Sequence, residues 1–262
     1  MELSGWLTGL RSSGKIAFLQ LRDGTGFVQG ILVRSNVSDE TWELARSLSQ
    51  ESSVRVSGLV REDSRSSFGF EVELDGVELI HAAVDYPITP KEHGVDFLMD
   101  RRHLYLRHRA PWALMRIRDE LARAINDFLG DRGFIRFDAP FFMPTAVEGT
   151  TNLFEIDLFG EDTAYLSQSG QLYAEAGAAA LRRVYTFGPT FRAENSNTPK
   201  HAAEFWMVEP EIAFADLKDD MLLAEAMIKY LIRDVLEQCP EEMNFFNQFV
   251  DKELLERLEN VL

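Results

Sequence analysis

The chain has 262 residues, 45% of them hydrophobic, and a formal net charge of −16. That length and apolar share suffice for two domains with real cores, while no run of about 18 apolar residues is present to span a membrane, and the start MELSGWL lacks the basic and apolar regions of a signal peptide. The single cysteine, Cys239, excludes an internal disulfide framework and fits a reducing, cytoplasmic setting, and no Cys/His cluster has zinc spacing.

Net acidity argues against a nucleic-acid partner, because a phosphate backbone needs a cationic surface. The distribution softens this. Acidic residues crowd the stretch after Lys200, whereas residues 1–35 carry Arg11, Lys15, Arg22 and Arg34 against Glu2 and Asp23. A locally basic face can sit on an acidic protein, and acidity for solubility alone stays open.

Residues 1–82 read as one small domain. Strand-like runs at 3–10, 16–21, 27–33, 54–60 and 68–80 alternate with turn chemistry such as Ser12-Ser13-Gly14 and Arg22-Asp23-Gly24. Ser38 offers an N-cap to a helix over 39–48. Three strands, a helix and two strands follow the plan of the OB-fold barrel, whose strand 2–3 face commonly binds single-stranded nucleic acid. Such a barrel is expected to carry more chain before its first strand, so a trimmed start is expected.

Residues 83–109 read as an ordered hinge, with Pro87, Pro90 and Gly94 and then the mixed-charge run Asp100-Arg101-Arg102-His103. From Pro111 the pattern turns helical: Met115, Ile117, Leu121, Ile125, Phe128 and Leu129 recur at near-helical spacing up to Gly130 or Gly133. Strands are expected at 134–137 and 165–169, and a short helix at 171–180. Two more strands, 184–192 and 204–214, are joined by a polar loop, and an amphipathic helix is expected over 217–236 with a polar helical tail. Residues 110–262 thus form a second domain, and the chain as a whole is α+β.

The hairpin carries the chemistry. Phe191-Arg192-Ala193-Glu194 closes its first strand, a loop holding Lys200 and His201 follows, and Glu204-Phe205-Trp206-Met207-Val208-Glu209-Pro210-Glu211 returns. Alternation places Phe205, Met207 and Glu209 on one face and Trp206 and Val208 on the other, with Arg192 and Glu194 sharing a face. A floor bearing Arg, Glu, Phe and Glu suits a nucleotide: arginine grips a phosphate with a planar fork, phenylalanine stacks on a base, and a carboxylate accepts from an exocyclic amine.

This hairpin resembles motif 2 of the class II aminoacyl-tRNA synthetases. Residues 133–140 and the helix before them resemble motif 1, the dimerisation element whose proline ends a strand. Within class II the chain resembles the aspartyl, asparaginyl and lysyl subgroup, which carries an N-terminal OB domain for the anticodon. The stretches Val147-Glu148-Gly149-Thr150-Thr151-Asn152-Leu153-Phe154, Leu166-Ser167-Gln168-Ser169-Gly170-Gln171-Leu172-Tyr173 and residues 203–211 are similar to the asparaginyl branch. The resemblance covers essentially the whole chain.

The resemblance implies ATP-dependent ligation of L-asparagine to tRNA(Asn) through an asparaginyl-adenylate, with Mg2+, in a homodimer formed through motif 1. It implies that Arg192 holds the α-phosphate and the amino-acid carboxylate, that Glu194 and Phe205 hold the adenine, and that His201 lies toward the distal phosphates. Glu148 and Gln171 would orient the α-amino group. Glu209 would select the side chain: aspartyl relatives carry aspartate there and a lysine where this chain has Ala174. A glutamate accepts from an amide NH2 and repels a carboxylate, and an unpaired buried polar group costs about 1–3 kcal/mol. Phe18 and Gln29 would stack on and read an anticodon base.

Each residue taken singly has a plainer reading. Phe18 in a strand is usually core, Arg192 could be a surface ion pair, and His201, Glu148 and Gln171 could be ordinary surface residues. The plain readings fail jointly, because several motifs recur in order. The family's third motif, which completes the ATP site, is not found before Leu262, so a fragment ending before motif 3 is expected. An aspartyl enzyme, a related asparagine synthetase paralogue, and a non-catalytic tRNA-binding or dimerising module remain the alternatives.

Overall fold

The computed structural model describes residues 1–64, 66, 69–147, 149, 152–196, 198 and 200–262. The chain divides into two compact units, Met1–Leu104 and Tyr105–Leu262.

The first unit is a closed five-stranded barrel. Strands β1 (Glu2–Ser13), β2 (Ile16–Arg22), β3 (Phe27–Val33), β4 (Ser53–Glu62) and β5 (Phe70–His81) join in the order β1-β2-β3-β5-β4, and helix α1 (Asp39–Ser47) links β3 to β4. Only the β3–β5 pair is parallel. The expected start of the fifth strand at Phe68 lies outside the described residues. Alternation drives the closure: Leu7, Ala17, Leu19, Leu21, Leu32, Val54, Val56, Val72 and Leu74 point inward and are buried, with Trp42 and Ala45 of α1 among them. Ser38 caps α1 as expected, its side chain accepting from the Thr41 amide at 3.1 Å. At one end of the barrel Arg22 forks onto Glu51 at 3.0 and 2.9 Å, both buried, under the ring of Trp6.

The stretch read as a hinge is more regular than expected. It holds two short helices, α2 (Val95–Met99) and α3 (Arg102–Tyr105). Each is too short to display an apolar period, so the pattern could not announce them.

The second unit is built on helix α4 (Arg109–Asp131) and a three-stranded sheet in the order β11-β10-β6. Strand β6 (Ile135–Arg136) runs parallel to β10 (Arg183–Phe191), and β11 (Glu204–Ile212) returns antiparallel to β10. A second small sheet, β7-β9-β8, comprises β7 (Phe142–Met143), β8 (Glu155–Leu158) and β9 (Asp162–Leu166). Strand β9 ends at Leu166, short of the expected Ser169. The reason is local: the Ser167 hydroxyl donates to the Ser169 carbonyl at 2.7 Å, an alternative to the ladder.

The two faces of the hairpin are packed differently. One face, with Tyr185, Phe187, Val208 and Ile212, lies on Ile125, Phe128 and Leu129 of α4 and on Leu223, Met227 and Tyr230 of α6 (Leu217–Gln238). Helix α5 (Gln171–Leu181) covers part of the other, burying Ala174 and Ala178 against Val184. Helices α7 (Pro240–Phe249) and α8 (Leu254–Glu259) close a smaller core around Val235, Cys239 and Met243.

Candidate functional site

The register of the hairpin decides which side chains share its open face. Thr186 lies opposite Glu209, Gly188 opposite Met207, and Thr190 opposite Phe205. Directly opposed residues project to the same side, so Phe205, Met207 and Glu209 line up with Thr186 and Thr190. Trp206 projects to the other side, edge-on to Phe187 at 5.3 Å.

Arg192 sits at the mouth of the hairpin. Its amide donates to the Ala203 carbonyl at 3.0 Å, and its guanidinium lies 5.3 Å from the centre of the Phe205 ring. A flat aromatic face and a planar cation are thereby brought together at one end of the open face. Strand β10 ends at Phe191, one residue before Arg192. Strict alternation therefore does not extend to Glu194, which corrects the expectation that Arg192 and Glu194 share a strand face. Glu194 and His201 lie on the exposed loop, where the Thr198 hydroxyl contacts His201 Nδ1. Glu148 lies outside the described residues.

At the other end of the face sits Glu209. Its carboxylate receives the Ser169 hydroxyl, the Gly170 amide at 3.1 Å and the Thr186 hydroxyl at 2.9 Å. With Ser167, Gly170, Thr186 and Thr190 it lines a pocket of about 330 Å3, bounded on the far side by Pro140 and Phe141. Gln171 opens α5 beside Gly170, and its amide NH2 donates to Glu175 at 2.9 Å. Glu211 lies two residues from Glu209. Burial first, then the carboxylates of Glu175, Glu209 and Asp220, push its carboxyl above the ordinary 4.5. The face is thus strongly negative around Glu209 and cationic at Arg192.

The three donors to Glu209 were not singled out from the sequence. Ser169 and Gly170 stand within a motif without a pattern of their own to mark them, and Thr186 lies in a plain strand. Counting the register back across the loop would have paired Thr186 with Glu209, but the exact hairpin register is a three-dimensional fact.

On the barrel, Phe18 and Gln29 lie on the outer surface of adjacent strands. Gln29 pairs with Gln20 across β2 and with Glu71 across β5, and Phe18 pairs with Arg11. Arg11 places its guanidinium 5.8 Å from the Phe18 ring, beside a surface cavity. The face therefore presents an aromatic platform flanked by a cation, then a row of amide and carboxylate side chains one step along. Arg11, Gln20 and Glu71 join the two residues expected from sequence because the strands bring them side by side.

Two family models match the chain. Residues 1–80 match the OB-fold nucleic acid binding domain, and residues 94–261 match the tRNA synthetases class II (D, K and N). The chain belongs to the class II tRNA synthetases of the D, K and N group. Within that group it is similar to asparagine–tRNA ligases: 56% identical to that of Thermus thermophilus over 95% of this chain, and 55% identical to that of Deinococcus deserti over 96%. The chain spans about 57% of the length of these relatives. Among solved structures it superposes on the asparaginyl-tRNA synthetase of Pyrococcus horikoshii complexed with asparaginyl-adenylate. That match has a TM-score of 0.89 and 37% identity, and it covers 99% of this chain and 59% of the other. Among the described residues no helix is long and apolar enough to cross a membrane.

Proposed function

We propose that the chain carries the anticodon-reading barrel and the adenylate-forming hairpin of an enzyme that ligates L-asparagine to tRNA(Asn) with ATP in the cytoplasm. The observation that carries this reading is the open face of the hairpin. Arg192 and Phe205 stand at one end to take a phosphate and a purine, and a tethered glutamate stands at the other to take a side-chain amide.

Asparagine's carboxylate oxygen attacks the α-phosphorus of ATP. The new P–O bond forms as the bond to the bridging oxygen breaks, and pyrophosphate leaves with the electron pair. A hydroxyl of the terminal tRNA ribose then attacks the activated carbonyl, and AMP leaves. The side chains contribute positioning and charge rather than covalent chemistry. Arg192 offsets the negative charge at the α-phosphate. Phe205 stacks on the adenine and Glu194 accepts from its exocyclic amine. His201 reaches toward the distal phosphates from the loop. Gln171 and Glu148 orient the α-ammonium, and Glu209 accepts from the amide. Mg2+ would supply counter-charge to the phosphates. Among the described residues no three His, Cys, Asp or Glu side chains are grouped to hold a metal ion.

On the barrel, Phe18 stacks on an anticodon base and Gln29 reads its edge. Residues 1–82 form this anticodon domain, 83–109 the linker and 110–262 the part of the catalytic domain that holds motifs 1 and 2.

A homodimer through motif 1 completes the reading. Its support is the apolar surface beside α4: Leu114 is 56% and Met115 49% exposed, and Met115, Leu121, Ile125, Phe187 and Trp206 line a groove of about 340 Å3. Sedimentation of wild type and Met115→Glu tests it: a wild-type dimer that the glutamate dissociates is expected, and a monomeric wild type sinks it.

The substrate reading is tested by calorimetric titration with the sulfamoyl analogues of asparaginyl- and aspartyl-adenylate. The two share every group except the side-chain terminus. Tighter binding of the asparaginyl analogue, by tenfold or so, is expected. Equal binding, or preference for the aspartyl analogue, would overturn it.

A further inference from the structure

Glu209 is not free to choose its geometry. A carboxylate has about four lone-pair sites. Three are occupied: one on Oε1 by the Ser169 hydroxyl, and two on Oε2 by the Gly170 amide and the Thr186 hydroxyl. All three partners donate. Ser169 is itself committed, because its hydroxyl accepts the Gln171 amide at 3.0 Å and so has its proton to give. The remaining acceptor site is on Oε1, and Glu209 lines the pocket.

Thr186 and Gly170 are locked together. Thr186 stands directly across the ladder from Glu209 and is 5% exposed. A Cβ at residue 170 would lie 2.6 Å from both Thr186 Oγ1 and Cγ2. Only glycine lets the chain pass close enough for its amide to reach Glu209 while Thr186 keeps its hydroxyl on the same oxygen. The two donors to Oε2 therefore depend on each other.

We propose that Thr186, with the Gly170 amide, is a positioning element that sets amide-over-carboxylate selection by leaving Glu209 one outward acceptor site. Thr186 lines the same pocket but is 5% exposed, and it acts through Glu209. Oε2 is held from the wall of the pocket, so Oε1 is presented to a ligand in one orientation. A side-chain NH2 fills the last site with one hydrogen bond. A carboxylate there meets acceptor on acceptor, and no neighbouring donor can turn to relieve it because all three are engaged. Without the Thr186 hydroxyl, Oε2 has one donor fewer, the carboxylate can rotate, and the contrast between the two ligands shrinks.

This inference rests on the reading of Glu209 as the side-chain selector, and the test separates the two. Thr186→Val removes only the hydroxyl, and Thr186→Ser restores it. Both variants and wild type are titrated with the asparaginyl and aspartyl sulfamoyl-adenylates. Amide hydrogen exchange at Gly170 is followed in parallel. Expected is a roughly tenfold fall in the asparaginyl-to-aspartyl affinity ratio in Thr186→Val, the worth of one hydrogen bond to a charged group. Faster exchange at Gly170 should accompany it, and Thr186→Ser should recover both. A merely structural role would weaken both analogues equally and leave the ratio alone, which overturns the proposal while the selector reading stands. A wild type with no preference overturns the selector reading and the proposal with it. Should Thr186→Val fail to fold, Thr186→Ala removes the same hydroxyl: a ratio below one third of wild type counts for the proposal, and a wild-type ratio with wild-type exchange at Gly170 counts against it.

Discussion

The barrel and the hairpin unit solve opposite problems. In the barrel every strand has two neighbours, the core is continuous, and its buried cation, Arg22, meets a buried anion in a bidentate pair. Its working surface is the outside of a finished object, and Phe18 stands there half-buried, outside the core. In the second unit the hairpin's sheet has three strands, and large apolar side chains such as Leu217, Met221 and Trp206 stay exposed. Its working surface is the floor itself, with polar residues held by one another rather than by a core. A closed fold can place recognition on its exterior cheaply, whereas a site built into a sheet face must brace each polar group from its neighbours.

Four substitutions can break or sharpen this contrast. The largest effect is expected from Arg22→Met, which strands Glu51 in the barrel. Removing one partner of a buried pair costs about 3–5 kcal/mol. Denaturant titration should show the barrel's transition moving far earlier with the second unit's in place; a joint loss would mean that the barrel is not self-contained. Next is Phe18→Ala. Loss of one stacked base should weaken binding of an anticodon stem-loop RNA by about 1–3 kcal/mol with barrel stability unchanged. Fluorescence anisotropy reads the first and thermal melting the second, and a matching fall in melting temperature would make Phe18 a core residue after all. Third is Asp216→Ala. Asp216 accepts from Lys218 and Asp219 at 2.8 and 3.1 Å in the capping box of α6. About 1 kcal/mol should be lost, confined to the second unit's transition in the same denaturant experiment.

The smallest effect is Glu211→Gln, and it depends on pH. Burial and three carboxylates raise the Glu211 carboxyl in the folded chain. A raised folded value means that folding is favoured below the unfolded carboxylate range and loses that contribution as pH rises through the folded value. Glu211→Gln should therefore melt slightly higher than wild type at pH 7, and the gap should close as pH falls below the ordinary carboxylate range. A gap that persists at pH 3 would assign the gain to something other than charge.

Much of this was legible beforehand, and the pattern of success is physical. The barrel strands announce themselves because one face of each is buried and the period is two; Ser38 announces α1 because a helix start needs an acceptor. The hairpin's alternation put Phe205, Met207 and Glu209 on one side. What sequence pattern does not carry is long-range. Arg22 and Glu51 are joined across the fold, and Glu51 takes a left-handed backbone with φ of 67° to meet its partner. Arg11 reaches Phe18 only because β1 folds back on β2. Thr186 gained its role from register, and the 165–169 strand ends early where the Ser167 hydroxyl turns to the Ser169 carbonyl. Periodicity reports which side a residue faces, not whom it meets there.

The close fit of Gly170 against Thr186 also constrains how this site can change over generations. Positions 170, 186 and 209 form one unit of inheritance: enlarging residue 170 displaces Thr186, altering residue 186 loosens Glu209, and replacing Glu209 leaves three donors facing nothing. A lineage that moved from one amino acid to another by single steps would cross a form worse at both. Selectivity at such a site should shift in concerted jumps, and a library that varies the three codons together should find switches that one-at-a-time scanning misses.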